Sequence, residues 1–116
     1  MYKFPEEFDP AIFVGRTLEM VCINANQVYF HFNDHLMICA ESAFWYERQD
    51  KSHSDVQVPL DQLEVLQLLE HDVARAQIKK GDVLIVIFDN GASLRFDPVL
   101  GYESYRVVVA GKETFI

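Results

Sequence analysis

Two histidines and two carboxylates near one predicted turn are the residues whose types come closest to a metal-binding set. His31, Asp34 and His35 bracket the turn, and Glu41 lies further along the next predicted strand. Imidazole nitrogens and carboxylate oxygens are ligands that zinc accepts. A turn does not hold His31 and His35 on one face as a helix would, and neither His-Glu-x-x-His nor Cys-x-x-Cys occurs. We therefore predict two solvent-facing histidines and no metal or other cofactor.

Covalent catalysis would require an activated serine or cysteine beside a base. Cys22 and Cys39 lie within apolar runs, where a thiol usually behaves as a small hydrophobic group, and no serine lies in a Gly-x-Ser-x-Gly motif. The five glycines are scattered singly, so the sequence has no phosphate-binding loop. Eighteen acidic residues always allow some carboxylate pair to meet, but no particular pair stands out. We therefore predict a non-enzymatic protein with two reduced cysteines.

Composition limits the classes of partner. Half of the 116 residues are hydrophobic, which suits a single domain with its own core. The net charge of −8 argues against binding to nucleic acid or to an anionic membrane, and it suits a basic protein partner instead. The N-terminal residues lack the apolar segment of a secretory signal, and no apolar run reaches the roughly 20 residues that cross a bilayer. We expect a cytoplasmic protein.

Two stretches of the chain share one hydrophobic pattern, from about Phe13 to Tyr46 and from about Leu68 to Val108. The predicted strand Val28–Phe32 in the first stretch corresponds to Val83–Ile87 in the second. The register is predicted to hold through the first two strands of each stretch and to slip by a few residues afterwards. Such self-similarity suggests two structural units of related fold.

The predicted fold class is α+β and mainly β. It consists of two antiparallel meanders of three or four strands, forming a pseudo-repeat that packs as a sandwich or half-open barrel, with one short helix between them. The helix is predicted from leucines at helical spacing after Asp61, and the strand Val83–Phe88, apolar on both faces, is predicted to be covered on both sides. The predicted segments are an N-terminal arm at 1–12, a first meander at 13–46, a helix at 59–71 and a second meander at 72–116.

The most distinctive motif lies in the last third of the chain. Asp89-Asn90-Gly91 predicts a two-residue hairpin with positive φ angles, and the strand Gly101-Tyr102-Glu103-Ser104-Tyr105 follows. This pattern resembles small uncharacterised bacterial proteins of the toxin-immunity type. The resemblance implies a protein that binds a toxin, and it brings no functional residue with it.

Aromatic and acidic residues provide the predicted binding site. Tyrosine and tryptophan are frequent anchors at interfaces, and acidic side chains would steer the encounter with a basic partner. For Trp45, packing in the core is the competing role. The predicted partner-binding residues are Glu41, Trp45, Glu47, Asp89, Asp97, Glu103 and Tyr105. Together with the resemblance, they predict an immunity protein that covers the active surface of a cognate toxin domain.

Two alternatives stay open. One is a half-barrel that binds a small molecule or acts as an enzyme, with a site near His31, Trp45 and Tyr105. The other is a homo-oligomer, such as a homodimer, assembled by pairing of exposed strand edges such as Glu113–Ile116. A deep pocket would favour the first, and light scattering would detect the second.

Overall fold

The computed structural model describes residues 8–23, 27–41, 44–47, 53–56, 64–97, 105–110 and 112–115. Two short 3-10 helices lie in these ranges, at Pro10–Phe13 and Glu64–Leu68. The strands are β1 (Leu18–Ile23), β2 (Val28–Phe32), β3 (Leu36–Ala40), β4 (Phe44–Glu47), β5 (His53–Val56), β6 (Val73–Lys79), β7 (Val83–Phe88), β8 (Ser93–Phe96), β9 (Tyr105–Val109) and β10 (Lys112–Phe115). No helix among these residues is long and apolar enough to span a membrane.

The strands form two antiparallel sheets. Sheet 1 has the order β1-β2-β3-β9-β10, and sheet 2 has the order β5-β4-β8-β7-β6. The predicted fold class, mainly β with two packed antiparallel sheets, is confirmed. Each sheet has five strands rather than three or four, because a hairpin from the other half of the chain joins each three-stranded meander.

The hairpin exchange is the principal difference from the predicted segments. Strand β4, which the sequence analysis places in the first meander, pairs with β8 in sheet 2, with Tyr46 opposite Leu94. Strands β9 and β10, predicted to belong to the second meander, lie in sheet 1, where Val107 is opposite Ile38. Hydrophobic alternation marks which face of a strand is buried but not which neighbour it takes. The exchange covers the otherwise open edge of each meander.

The two halves nevertheless repeat one arrangement of elements. Each has a 3-10 helix, three strands in sequence and a hairpin that crosses to the opposite sheet. Both first strands carry a bulge at the same place, after Leu18 in β1 and after Val73 in β6. The duplicated pattern in the sequence therefore corresponds to a duplicated structure.

The register of the second strands differs from the prediction by one residue. The buried residues of β7 are Leu84, Val86 and Phe88, so they, and not Val83–Ile87 in alternation, correspond to the buried residues of β2. Ile23 pairs with Val28, whereas its counterpart pairs with Leu84, so the second half has one more residue between the paired positions. The slip therefore begins in the first turn of the unit.

Aromatic rings from both sheets fill the space between them. Phe30 of sheet 1 contacts Phe44 and Phe96 of sheet 2, with ring centroids 5.3 and 5.8 Å apart. Phe96 in turn contacts Tyr105 of sheet 1 at 5.3 Å, and Phe32 stacks on a ring of sheet 2. All of these side chains are buried. The sheets therefore pack face to face, and burial of these rings is a main source of stability.

The two halves meet where the first strand of each begins. Thr17 and Asp72 form an isolated antiparallel bridge. The side chain of Asn33 accepts a hydrogen bond from the Thr17 amide at 2.9 Å, and Asp89 accepts one from the Asp72 amide at 3.3 Å. Corresponding residues thus satisfy corresponding backbone donors, which fixes the two halves against each other.

The predicted helix at 59–71 is represented by the 3-10 helix Glu64–Leu68, and 57–63 lie outside the described residues. Leu68 is buried, as is Phe13 at the corresponding place in the first half. In the predicted arm, the Asp9 carboxylate accepts a hydrogen bond from the Ala11 amide and caps the helix Pro10–Phe13. Residues 1–7 lie outside the described ranges.

Two further predictions about β7 and its turn need correction. Val83, Ile85 and Ile87 are half-buried on the outer face of sheet 2, so the strand is covered on one side only. The turn after β7 spans four residues, because the Phe88 amide donates to Ala92, and of Asn90 and Gly91 only Gly91 has a positive φ. The Asn90 side chain instead accepts a hydrogen bond from the Ala92 amide.

Candidate functional site: the outer face of sheet 1

The acidic residues of the predicted site do not lie in one place. Glu41 directly follows β3 in sheet 1, whereas Glu47 lies in β4 of sheet 2, opposite Ser93. Asp89 directly follows β7, and Asp97 lies beyond the far end of the antiparallel strand β8. The predicted acidic rim is therefore divided between the two sheets and between opposite ends of β8.

The aromatic residues of the predicted site also separate. Tyr105 is 2% exposed, and its hydroxyl donates a hydrogen bond to the Asp97 carbonyl at 3.0 Å, so it belongs to the core and is not an exposed anchor. The backbone of Trp45 pairs with Arg95 and Asp55, and its side chain lies outside the described part. Glu103 also lies outside the described residues.

The outer face of sheet 1 brings together a different set of side chains, which we call the Tyr29 face. One row across the strands contains a histidine between two methionines, and the next row contains Tyr29 between two cysteines. These positions alternate with the buried core residues of the same strands. The Tyr29 face comprises Met20, Cys22, Gln27, Tyr29, His31, Met37, Cys39, Glu41, Arg106 and Val108.

Hydrogen bonds and ring stacking hold the middle of this face in one conformation. The Tyr29 hydroxyl donates to Gln27 Oε1 at 2.6 Å, and Gln27 Nε2 donates to Glu41 Oε1 at 2.7 Å. The ring of Tyr29 stacks on that of His31, with centroids 6.1 Å apart and planes 22° from parallel. Tyr29 and His31 are both half-buried, so part of each ring is accessible. The face is therefore ordered before any partner arrives.

The cysteines of the Tyr29 face are free thiols. Burial raises the pKa of the Cys39 thiol, and Glu41 acts in the same direction, against the lowering effects of Arg106 and a hydrogen bond with Tyr29. Cys22 and Cys39 flank Tyr29 on opposite sides, one strand away each. Their Cα atoms are thus about 10 Å apart, beyond the reach of a disulfide. A buried, protonated thiol is a poor nucleophile.

A second polar cluster lies where the two halves meet. His71 Nδ1 and Asp89 Oδ1 are 2.8 Å apart, and the hydrogen bond from His71, followed by that from the Asp72 amide, lowers the pKa of Asp89. The Thr17 hydroxyl donates to the Asp72 carboxylate. These contacts join the halves, which gives Asp89 a structural role.

The residues of the sketched metal set are also apart. His31 lies on the sheet face opposite Met37, and His35 lies in the following turn with a φ of 60°. Within the described ranges, no three side chains of His, Cys, Asp or Glu are grouped so that they could hold a metal ion.

Sequence reasoning selected only Glu41 from the Tyr29 face. Tyr29, His31 and Met37 become neighbours through strand pairing, which alternation does not reveal. A signal was nonetheless present, because the outward positions of β2 carry polar and aromatic residues whereas those of β7 are aliphatic. Strand β10, which contains most of the predicted self-pairing edge, lies at an edge of sheet 1. Pairing of two copies there stays a prediction.

Three kinds of comparison, with protein families, curated proteins and solved structures, give no match to this chain. The residues and geometry of the Tyr29 face are therefore the basis on which a function is proposed.

Proposed function

We propose that this chain is a protein-binding module that recognises its partner through the Tyr29 face, and that it acts as an immunity protein that neutralises a bacterial toxin. The observation that supports binding most strongly is the preorganised network from Tyr29 through Gln27 to Glu41, stacked against His31. Side chains that are already fixed lose little conformational entropy when a partner covers them.

The composition of the face suits a protein partner. Tyrosine, methionine and arginine are enriched at the centres of protein interfaces, where other charged residues are scarce. The row through His31 carries Met20, Met37 and Val108, and Met20 is 49% exposed. Methionine side chains adapt to the shape of an apposed surface. A partner could therefore bury an apolar row beside a hydrogen-bonding row.

The small-molecule alternative receives less support from the geometry. His31 and Tyr105 lie on opposite faces of sheet 1, since His31 faces outward and Tyr105 is buried between the sheets. They cannot line one pocket. The space between the sheets around Tyr105 is occupied by rings such as Phe96 and Phe30.

The two halves of the chain provide an internal comparison of surface with core. Buried positions stay apolar in both halves, as with Phe32 and Phe88. Outward positions have diverged: Met37 of β3 corresponds to Ser93 of β8, because each lies between the first two buried residues of its strand segment. One scaffold thus carries two chemically different outer faces, and only that of sheet 1 has the interface-like composition.

Charge would act mainly on the encounter. The net charge of −8 attracts a basic partner over several ångströms, and Glu41 places a carboxylate at one end of the Tyr29 face. If the toxin is a nuclease, its cleft binds phosphate, and acidic side chains at the contact would imitate that substrate. The resemblance of the C-terminal motif to toxin-immunity proteins supports this more specific role.

The first experiment is affinity capture from the native organism with tagged protein, washed at low and at high salt, followed by mass spectrometry. We expect one stoichiometric basic partner that is toxic when expressed alone and harmless when expressed with this chain. A partner that binds but whose toxicity is unchanged would contradict the immunity role and leave the binding role supported. Recovery of no stoichiometric partner under either wash would contradict both.

Two acids at corresponding positions provide a matched test of steering. Glu41 directly follows β3, and Asp97 directly follows β8. E41K and D97K change the net charge equally, but only E41K alters the Tyr29 face. We expect E41K to lower the association rate with the captured partner about tenfold more than D97K at low salt. Equal rates for the two variants would contradict a contact at this face.

A further inference from the structure

Strand β6 is an edge of sheet 2 and exposes a row of cationic and polar side chains. Arg75, Gln77 and Lys79 alternate along its outer face and are all exposed. They lie opposite Ile87, Ile85 and Val83 of β7, in that order, and those three are half-buried. The edge therefore combines two cations with an adjacent aliphatic stripe.

These cations are unusual in a chain of net charge −8. Neither Arg75 nor Lys79 has a hydrogen bond or an ion pair within the part of the chain that the structure describes. The corresponding edge strand of the other half, β1, has Met20 and Cys22 at the positions of Arg75 and Gln77. The fold alone therefore does not require cations at this edge.

We propose that the β6 edge binds an extended acidic segment of a partner protein, which adds to sheet 2 as a further strand. Arg75 and Lys79 are four residues apart on one face, about 13 Å along the strand. A partner strand with carboxylates at positions i and i+4 would place one opposite each cation. Main-chain hydrogen bonds to the open edge would supply affinity, and the two charge pairs would supply register and specificity.

The competing explanation is that charges on β6 only prevent aggregation of an exposed edge. The two explanations differ in the sign of the charge. Any charge protects an edge, whereas recognition of an acidic strand requires positive charge. R75E/K79E therefore keeps a protected edge while reversing its complementarity.

The probe is a fluorescein-labelled peptide with the pattern Thr-Glu-Val-Thr-Val-Glu-Thr, titrated with the full-length protein in a fluorescence anisotropy assay. A second peptide has lysine in place of both glutamates. We expect the wild-type protein to bind the glutamate peptide at least about tenfold more tightly than R75E/K79E does, and R75E/K79E to prefer the lysine peptide. The exchange of preference also demonstrates that the variant is folded.

A control variant, K51E/K112E, makes the same change in net charge away from β6 and is expected to bind the glutamate peptide within about twofold of wild type. No binding by the wild type at about 1 mM protein would overturn the proposal, as would equal loss in the control variant. M37R, on the Tyr29 face, should leave peptide binding unchanged. Failure of this proposal is thus separable from failure of the function proposed above.

Discussion

Replacement of Phe30 by alanine is the most informative test of how the two sheets pack. Phe30 is fully buried in sheet 1, and its ring contacts Phe44 and Phe96 of sheet 2 at 5.3 and 5.8 Å. Both contacts are edge-to-face, the geometry that aromatic pairs favour. The substitution removes one ring from a cluster that belongs to both sheets.

The expected loss is about 4 kcal/mol of the free energy of unfolding, since Phe→Ala changes in cores cost about 3–5 kcal/mol and this site cannot collapse easily between two sheets. A domain of this size has roughly 5–15 kcal/mol in total, so the variant should fold but be markedly weakened. With an m value of about 2 kcal/mol per molar urea, the midpoint should fall by about 2 M.

Urea unfolding followed by tryptophan fluorescence and circular dichroism measures this shift. H31A is the matched control, because His31 is the next residue but one on the same strand and faces outward. It should cost less than about 1 kcal/mol. A loss below about 1.5 kcal/mol for F30A, or equal losses for the two variants, would refute face-to-face packing through Phe30.

Three further predictions concern the junction, the thiols and the exchanged hairpins. D89N keeps the acceptor for the Asp72 amide but loses the charge beside His71. Because the pKa of Asp89 is lowered in the folded protein, its carboxylate stabilises the fold above the unfolded pKa, so D89N should be less stable at pH 7 and the difference should vanish as the pH falls to about 3. Equal differences in urea midpoint at both pH values would contradict this. Ellman's reagent should titrate Cys22 in the native protein and Cys39 only after unfolding, whereas two fast thiols would show that Cys39 is accessible. Chains divided within 57–63 should each remain unfolded alone but form a 1:1 complex when mixed, as seen by gel filtration and dispersed NMR spectra, and two independently folded halves would contradict the exchange.

The buried face of each strand could be predicted from the sequence, because alternation directly reflects which side chains leave water. In β2 the predicted buried residues Val28, Phe30 and Phe32 are buried. In β7 the prediction selected the wrong alternate residues, because a run that is apolar throughout has no alternation to set its phase. One extra residue in the preceding turn then moved the register.

The partners of the strands could not be predicted, for a different reason. Strands β4 and β9 each have a buried face that suits either sheet, so local pattern leaves their placement open. The exchange becomes favourable only when both meanders exist and each presents an open edge. The same limit applies to the candidate site, since Tyr29, Gln27 and Glu41 meet through pairing of β2 with β3.

The most direct test of the proposed binding surface compares M37R with S93R in affinity for the captured partner. The two residues hold corresponding outward positions in β3 and β8, both half-buried. An arginine in place of Met37 would put an unmatched charge at the centre of the interface, which typically costs about 2 kcal/mol or more. The account predicts that M37R weakens binding more than about tenfold while S93R stays within about twofold of wild type. Equal affinities, or a greater loss for S93R, would contradict it.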